Sequence, residues 1–325
     1  MKTKTTSYPK DKIKILLLEN ISDVSVEEFK EAGYSNVRKL PEALDENTLA
    51  KEIKDVHLLG IRSKTHVTEK VFSRADKLLA VGCYCIGVNQ VDMHAATQKG
   101  VAVFNAPHAN TRSVAELVIG LSVMLIRKIS DKNIAAHKGV WQKDAKGSFE
   151  LRGKTLAIIG YGNIGTQVSV LAEAMGMNVI YYDVESKLPH GNARQVRSLR
   201  EAFKQADIVT LHVPSEASTR YMVNNDTLAH MKKGSILINY SRGDVVDLDA
   251  LKNSLKNGHL SGAAIDVFPS EPEKNGAQFS SVLQNLSNDL SESLSKLRYP
   301  TFDNHGPQYC ESPPFSPSSL HWHLR

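Results

Sequence analysis

Short apolar runs alternate with helical periodicity along most of the chain. Residues 12–18, 58–61, 78–81 and 101–104 are apolar at strand length. Between them, residues 46–53, 70–75 and 93–99 place apolar side chains three and four apart, which predicts helices. A further short helix is predicted over 26–32, with Ser25 as its N-cap, Glu28 completing a capping box, and Gly33 near its C-cap. Strand and helix in alternation predict a parallel α/β unit. Residues 113–128 then form a long helical pattern, apolar over most of its circumference, which predicts burial on several sides, in a core or against a second subunit. From Lys154 the alternation resumes. Strands are predicted at 207–213, 235–239 and 262–267, and helices at 199–205 and 248–257, the order that a doubly wound sheet requires.

The second alternating stretch holds the strongest chemical signal. Residues 156–165 read Leu-Ala-Ile-Ile-Gly-Tyr-Gly-Asn-Ile-Gly, a helical run follows, and a second apolar strand ends at Asp183. Gly160 permits a tight turn, Gly162 lets backbone N–H groups approach a pyrophosphate, and Gly165 lets the helix pack against the strand. The helix N-terminus offers unpaired N–H groups to the anion. Asp183 stands where a carboxylate accepts hydrogen bonds from a ribose diol and repels a 2′-phosphate. The predicted cofactor is NAD rather than NADP.

Composition narrows the class. A length of 325 residues suggests about two domains. No apolar run is long enough to span a bilayer, and the N-terminal residues have no apolar secretory core, so no membrane partner is expected. Three cysteines make no disulfide framework, and a reducing cytoplasm fits. Cys83-Tyr-Cys85 has the wrong spacing for a redox or zinc pair, so no metal is predicted and core packing is expected there. The net charge of +5 comes without a Lys/Arg block, which argues against nucleic acid; it suits a small anionic substrate.

Three more motifs carry candidate chemistry. Residues 105–116 run from a strand end into the long helix. Residues 239–246 place Arg242 just after a strand. Residues 266–272 place Asp266 and Glu271 at the end of another, and such strand ends line the ligand crevice of a doubly wound sheet. Each has a plainer reading: Arg242 a surface residue, Glu271 a turn former, Asp266 a local cap, His212 a satisfied structural histidine. Trp141 reads as core or as an anchor between subunits.

With residues 60–66 and 82–92, these motifs resemble the D-isomer-specific 2-hydroxyacid dehydrogenases over about residues 10–286. The resemblance implies two parallel-sheet α/β domains: a flavodoxin-like substrate domain over 1–106 and a Rossmann NAD-binding domain over 107–286. It implies that Arg242 binds the substrate carboxylate and polarises its C2 oxygen, and that Glu271 partners an acid–base histidine. Gly160, Gly162, Asn163, Ile164, Gly165, Asp183, His212, Tyr240, Ser241 and Asp266 match cofactor positions. Arg62, Ser63, Asn110 and Ser113 match substrate positions, and Arg62 with Lys64 suits a phosphate. The activity implied is NAD-dependent oxidation of 3-phospho-D-glycerate in serine biosynthesis, by a cytoplasmic homodimer or higher homo-oligomer. The rivals are a hydroxypyruvate or glyoxylate reductase, and an inactive NAD-binding protein.

Residues 287–325 depart from this pattern. They are rich in Ser and Pro, lack periodicity, and contain no Thr-Pro-His segment of the kind that carries the family's catalytic histidine. His305, His321 and His323 lack the matching flanks, so the role is carried onto none of them. This segment is expected to be a poorly ordered, aberrant ending that replaces the family's return helix and serine-binding domain.

Overall fold

The computed structural model describes residues 8–271 and 278–284. These fall into two compact units that divide between Asn110 and Thr111.

The first unit contains β1 (Lys14–Leu17), α1 (Asp23–Glu31), β2 (Asn36–Lys39), α2 (Glu46–Glu52), β3 (Leu58–Ile61), α3 (Glu69–Arg74), β4 (Ala80–Cys83), α4 (Met93–Lys99) and β5 (Ala102–Asn105). The strands form one sheet in the order β2-β1-β3-β4-β5. All pairs are parallel, as with Ile15 opposite Leu58 and Gly60 opposite Gly82. This is the flavodoxin-like order. Alternate residues of β1 feed opposite faces: Leu16 joins Leu59, Ile61, Val81 and Phe72 in one core, and Ile15 and Leu17 join Ile21 in the other. A strand covered on both sides reads as a continuous apolar run, which is why β1 and β3 are visible in the sequence.

β2 is not. Its residues, Asn-Val-Arg-Lys, alternate between exposed and half-buried at the sheet edge, where pairing with β1 rather than apolar content makes it a strand. The cap of α1 also differs from expectation. The helix starts three residues before 26, Ser22 is its N-cap with its Oγ accepting the Val24 N–H at 3.3 Å, and Ser25 is buried within the helix. Packing of Val26, Phe29 and Tyr34 around the Ile15–Leu17–Ile21 cluster anchors that early turn.

The second unit contains α5 (Thr111–Ile126), α6 (Ile129–His137), β6 (Thr155–Ile159), α7 (Asn163–Ala174), β7 (Asn178–Tyr182), β8 (Arg194–Gln195), α8 (Leu199–Gln205), β9 (Ile208–Leu211), α9 (Asn225–Leu228), β10 (Ser235–Asn239), α10 (Leu248–Lys256) and β11 (Leu260–Ile265). Its parallel sheet runs β11-β10-β9-β6-β7-β8. That is the Rossmann order, with the direction of winding reversing at β6. One face of the sheet packs on α5 and α7 through Leu156, Ile158, Ile236 and Ile238. The other packs on α8 and α10 through Ala157, Ile159, Val209 and Leu237.

The long helix α5 buries one stripe within its unit, Val114, Ala115, Val118, Leu121, Ser122, Leu125 and Ile126. Within its unit α5 buries that one stripe, and Leu117 on another face is exposed. Trp141 is 84% exposed, so it is no part of the unit's core. No helix among the described residues is long and apolar enough to cross a membrane.

Candidate active site

The turn after β6 gives each of its three glycines a distinct role. Gly160 has φ +91°, and a Cβ there would lie 2.4 Å from the His212 carbonyl oxygen. Gly165 faces the Gly160 carbonyl, with a Cβ placed 2.3 Å from that oxygen. A Cβ on Gly162 would meet nothing within 4 Å. Gly160 and Gly165 therefore serve the fold, and Gly162 keeps the backbone open to a ligand. No side chain caps α7 at Gly162. Its first turn has the form that accepts a pyrophosphate.

Asp183, at the end of β7, is tied into the same turn. Its Oδ2 accepts the Tyr161 N–H at 2.7 Å, and its Oδ1 accepts the Glu185 N–H at 2.9 Å. A carboxylate has about four acceptor positions, so each oxygen keeps capacity for a ribose hydroxyl. Tyr161 is itself locked. Its ring stacks on Tyr181 with centroids 3.8 Å apart, and its hydroxyl donates to Ser169 Oγ at 3.0 Å. Tyr161 is not among the residues expected from sequence; an aromatic between two glycines was the available signal. Asn163 is exposed, and Ile164 is half-buried against the α5–α7 core.

His212 follows β9, and its backbone carbonyl faces Gly160. Its Nε2 lies 2.9 Å from Thr210 Oγ1, while Nδ1 is sealed from solvent without a partner among the described residues. Burial pushes its pKa down to about 3. The imidazole is neutral near pH 7 and is not a proton carrier there.

The loop after β10 is organised by Asn239, which is fully buried. Its Oδ1 accepts the Ser241 N–H at 3.1 Å and the Ser241 hydroxyl at 2.8 Å, and its Nδ2 donates to the Arg242 carbonyl at 2.9 Å. Tyr240 and Ser241 are buried, whereas Arg242 is exposed, with Nη1 donating to the Ser241 carbonyl. A Cβ on Gly243 would lie 2.1 Å from the Phe268 carbonyl carbon. The Asp266 N–H donates to the Asn239 carbonyl at 3.1 Å. The Arg242 loop and the 266–271 segment are thus packed together, although they are far apart in sequence. Glu271 Oε1 accepts the Phe268 N–H at 2.7 Å, so the plainer turn-forming role is real for one of its two oxygens.

The second unit matches the D-isomer specific 2-hydroxyacid dehydrogenase NAD binding domain over residues 119–287. Residues 15–184 match the catalytic domain of the same enzymes. The chain belongs to the D-isomer-specific 2-hydroxyacid dehydrogenase family. It is 52% identical over 284 residues to D-3-phosphoglycerate dehydrogenase of Escherichia coli K12, covering 87% of this chain and 69% of that one. Against the enzyme of the same name from Dictyostelium discoideum it is 49% identical over 286 residues, covering 88% and 70%. Among solved structures, the TT0316 protein from Thermus thermophilus superposes with TM-score 0.72 at 30% identity, over 82% of this chain and 85% of that one. D-lactate dehydrogenase from Aquifex aeolicus, complexed with NAD and lactic acid, gives TM-score 0.68 at 28% identity, over 79% and 77%. The chain is an NAD-dependent dehydrogenase of this family, and the open Gly162 cradle and Asp183 fit the dinucleotide.

In the first unit of this dehydrogenase the Arg62 loop follows β3. Arg62 is half-buried, and Ser63 and Lys64 are exposed. Their backbone is held by two buried residues, Glu19, which lies outside every motif read from the sequence, and Gln90, which lies within the 82–92 motif but was given no role. Asn110 is the residue at which the units divide, and Ser113 lies in the first turn of α5. Cys83 is buried in the sheet core, where burial pushes its thiol up to about 12. Among the described residues no three His, Cys, Asp or Glu side chains group as a metal site. His305, His321 and His323 lie outside the described residues, as does the rest of the 287–325 segment.

Proposed function

We propose that the chain oxidises 3-phospho-D-glycerate to 3-phosphooxypyruvate, the entry step to serine, as a cytoplasmic homo-oligomer. The observation that carries this reading is 52% identity to D-3-phosphoglycerate dehydrogenase across 284 residues. Bound NAD supplies the hydride acceptor. In this proposal the Gly162 turn and the first turn of α7 bind the pyrophosphate, and Asp183 binds the ribose diol. Asn163, Ile164, His212, Tyr240, Ser241 and Asp266 complete the dinucleotide contacts.

Arg242 is assigned to the substrate carboxylate and the C2 oxygen. A guanidinium gives both oxygens a fixed fork and keeps its charge at any working pH. Exposure on a loop whose backbone Asn239 pins suits that role. Glu271 has one oxygen on Phe268 N–H, and the other is assigned to orienting the proton carrier. Arg62 and Ser63, with Asn110 and Ser113, are assigned to the rest of the substrate, Arg62 and Lys64 favouring its phosphate. The proton-carrying histidine is assigned to no residue, because none in 287–325 has the family's flanks. Loss of a positioned acid–base group lowers a rate by about 10²–10⁴-fold, so NAD binding with slow turnover is expected.

NADH formation from 3-phospho-D-glycerate, D-glycerate and glycolate, run beside calorimetric NAD binding, tests the reading. A preference for the phosphorylated substrate supports it, at whatever absolute rate. Equal use of all three overturns the substrate assignment.

A further inference from the structure

The backbone that presents Arg62 and Ser63 is held from within by one buried carboxylate. Glu19 is 7% exposed and stands just past β1 with φ +58°. Its Oε1 accepts the Arg62 N–H at 3.1 Å and the Thr65 N–H at 2.8 Å, and its Oε2 accepts the Lys64 N–H at 2.9 Å. Gln90, 3% exposed, completes the hold by donating Nε2 to the Arg62 carbonyl at 2.8 Å. Arg62 is therefore fixed at both its N–H and its carbonyl, by residues 43 and 28 positions away.

The chemistry of the arrangement is specific. Three amide N–H groups converging on one point form an anion-binding concavity. Here that concavity is filled by the protein's own carboxylate. The loop's backbone donors are thus spent inward, and an external anion meets the side chains of Arg62, Ser63 and Lys64 instead. A buried carboxylate is costly unless hydrogen-bonded, so leaving any of these three amides is penalised and the loop is held in one conformation.

We propose that Glu19 is a positioning residue for the substrate anion: it fixes the 62–65 backbone so that the Arg62 guanidinium is preorganised for binding. This rests on the assignment of Arg62 to the substrate.

The test is calorimetric titration of 3-phospho-D-glycerate into the NAD-loaded full chain, for wild type, Arg62→Ala, Glu19→Gln and the double variant. In Glu19→Gln an NH₂ replaces one of the accepting oxygens and opposes a backbone N–H. Weakening of 3-phospho-D-glycerate binding by about tenfold or more is expected, with NAD affinity unchanged. The double variant should bind no more weakly than Arg62→Ala alone, because a residue that acts through Arg62 has nothing left to position. Amide exchange at 62, 64 and 65 should accelerate in Glu19→Gln.

Full binding in Glu19→Gln, with loss in Arg62→Ala, overturns this proposal and leaves the substrate assignment standing. So do losses that add in the double variant. Full binding in Arg62→Ala overturns both. Should Glu19→Gln fail to fold, Gln90→Met carries the test: it removes the bond to the Arg62 carbonyl at similar volume. It should lower 3-phospho-D-glycerate affinity in the same direction, and unchanged affinity counts against the proposal.

Discussion

The carboxylate of Asp183 accepts the backbone N–H of Tyr161 at 2.7 Å, across 22 residues of sequence. This bond joins the turn after β6 to the end of β7, so the groups proposed to hold the ribose and the pyrophosphate are set at a fixed spacing. Asp183→Ala removes the proposed ribose acceptor and the carboxylate that accepts the Tyr161 N–H. NAD affinity should fall by about tenfold or more, equivalent to about 1.4 kcal/mol, as read by calorimetry. An unchanged Kd would remove Asp183 from the dinucleotide site.

Gly162 and Gly165 should separate binding from folding. A Cβ at 162 has open space, so Gly162→Ala should keep the wild-type Tm and lose NAD affinity. A Cβ at 165 meets the Gly160 carbonyl at 2.3 Å, which only a shift of backbone relieves. Gly165→Ala should cost about 1–3 kcal/mol of stability, in the range of core overpacking. Thermal unfolding and NAD titration on both variants check the contrast; equal Tm losses would contradict it.

Acid should destabilise the second unit through His212. Its pKa in the folded chain is lowered from 6.5 to about 3 by burial. Between those values the unfolded chain binds more protons than the folded one, so stability is complete above pH 6.5 and falls as pH drops through the window. His212→Gln should flatten that part of the stability profile by about one proton. Urea unfolding at about pH 7 and about pH 4.5, on either side of the ordinary histidine pKa, measures it. An unaltered pH dependence would show that His212 is not the group responsible.

Asn239 should matter to Arg242 without touching a ligand. Its amide makes three hydrogen bonds to Ser241 and Arg242, all at least partly buried. Asn239→Leu leaves those partners unsatisfied, and a loss of about 1–3 kcal/mol per orphaned buried group sets the scale. Thermal unfolding should register a lower Tm, and an unchanged Tm would rule the network out as a stabilising element.

Much of this protein was legible in the amino-acid order alone. Strands covered on both faces read as apolar runs, as β6 and β10 do, because burial on two sides removes the polar alternation. The three glycines announced a tight strand–turn–helix because each answers a local requirement, whether of φ, of clearance or of open space. Local rules failed where two candidates satisfied the same rule. For α1 the capping-box pattern of Ser25 with Glu28 pointed to Ser25, whereas Ser22 is the N-cap and Ser25 is buried inside the helix, whose Val26 and Phe29 pack on the Ile15–Leu17–Ile21 cluster. The edge strand β2 exists by pairing with β1, which no property of Asn-Val-Arg-Lys announces. The holding roles of Glu19 and Gln90 were not legible either, although Gln90 lies within the 82–92 motif. A buried polar side chain is tolerated only because particular backbone donors and acceptors converge on it. For Glu19 and Gln90 those partners stand up to 46 positions away, and only the folded sheet brings them within 3.1 Å.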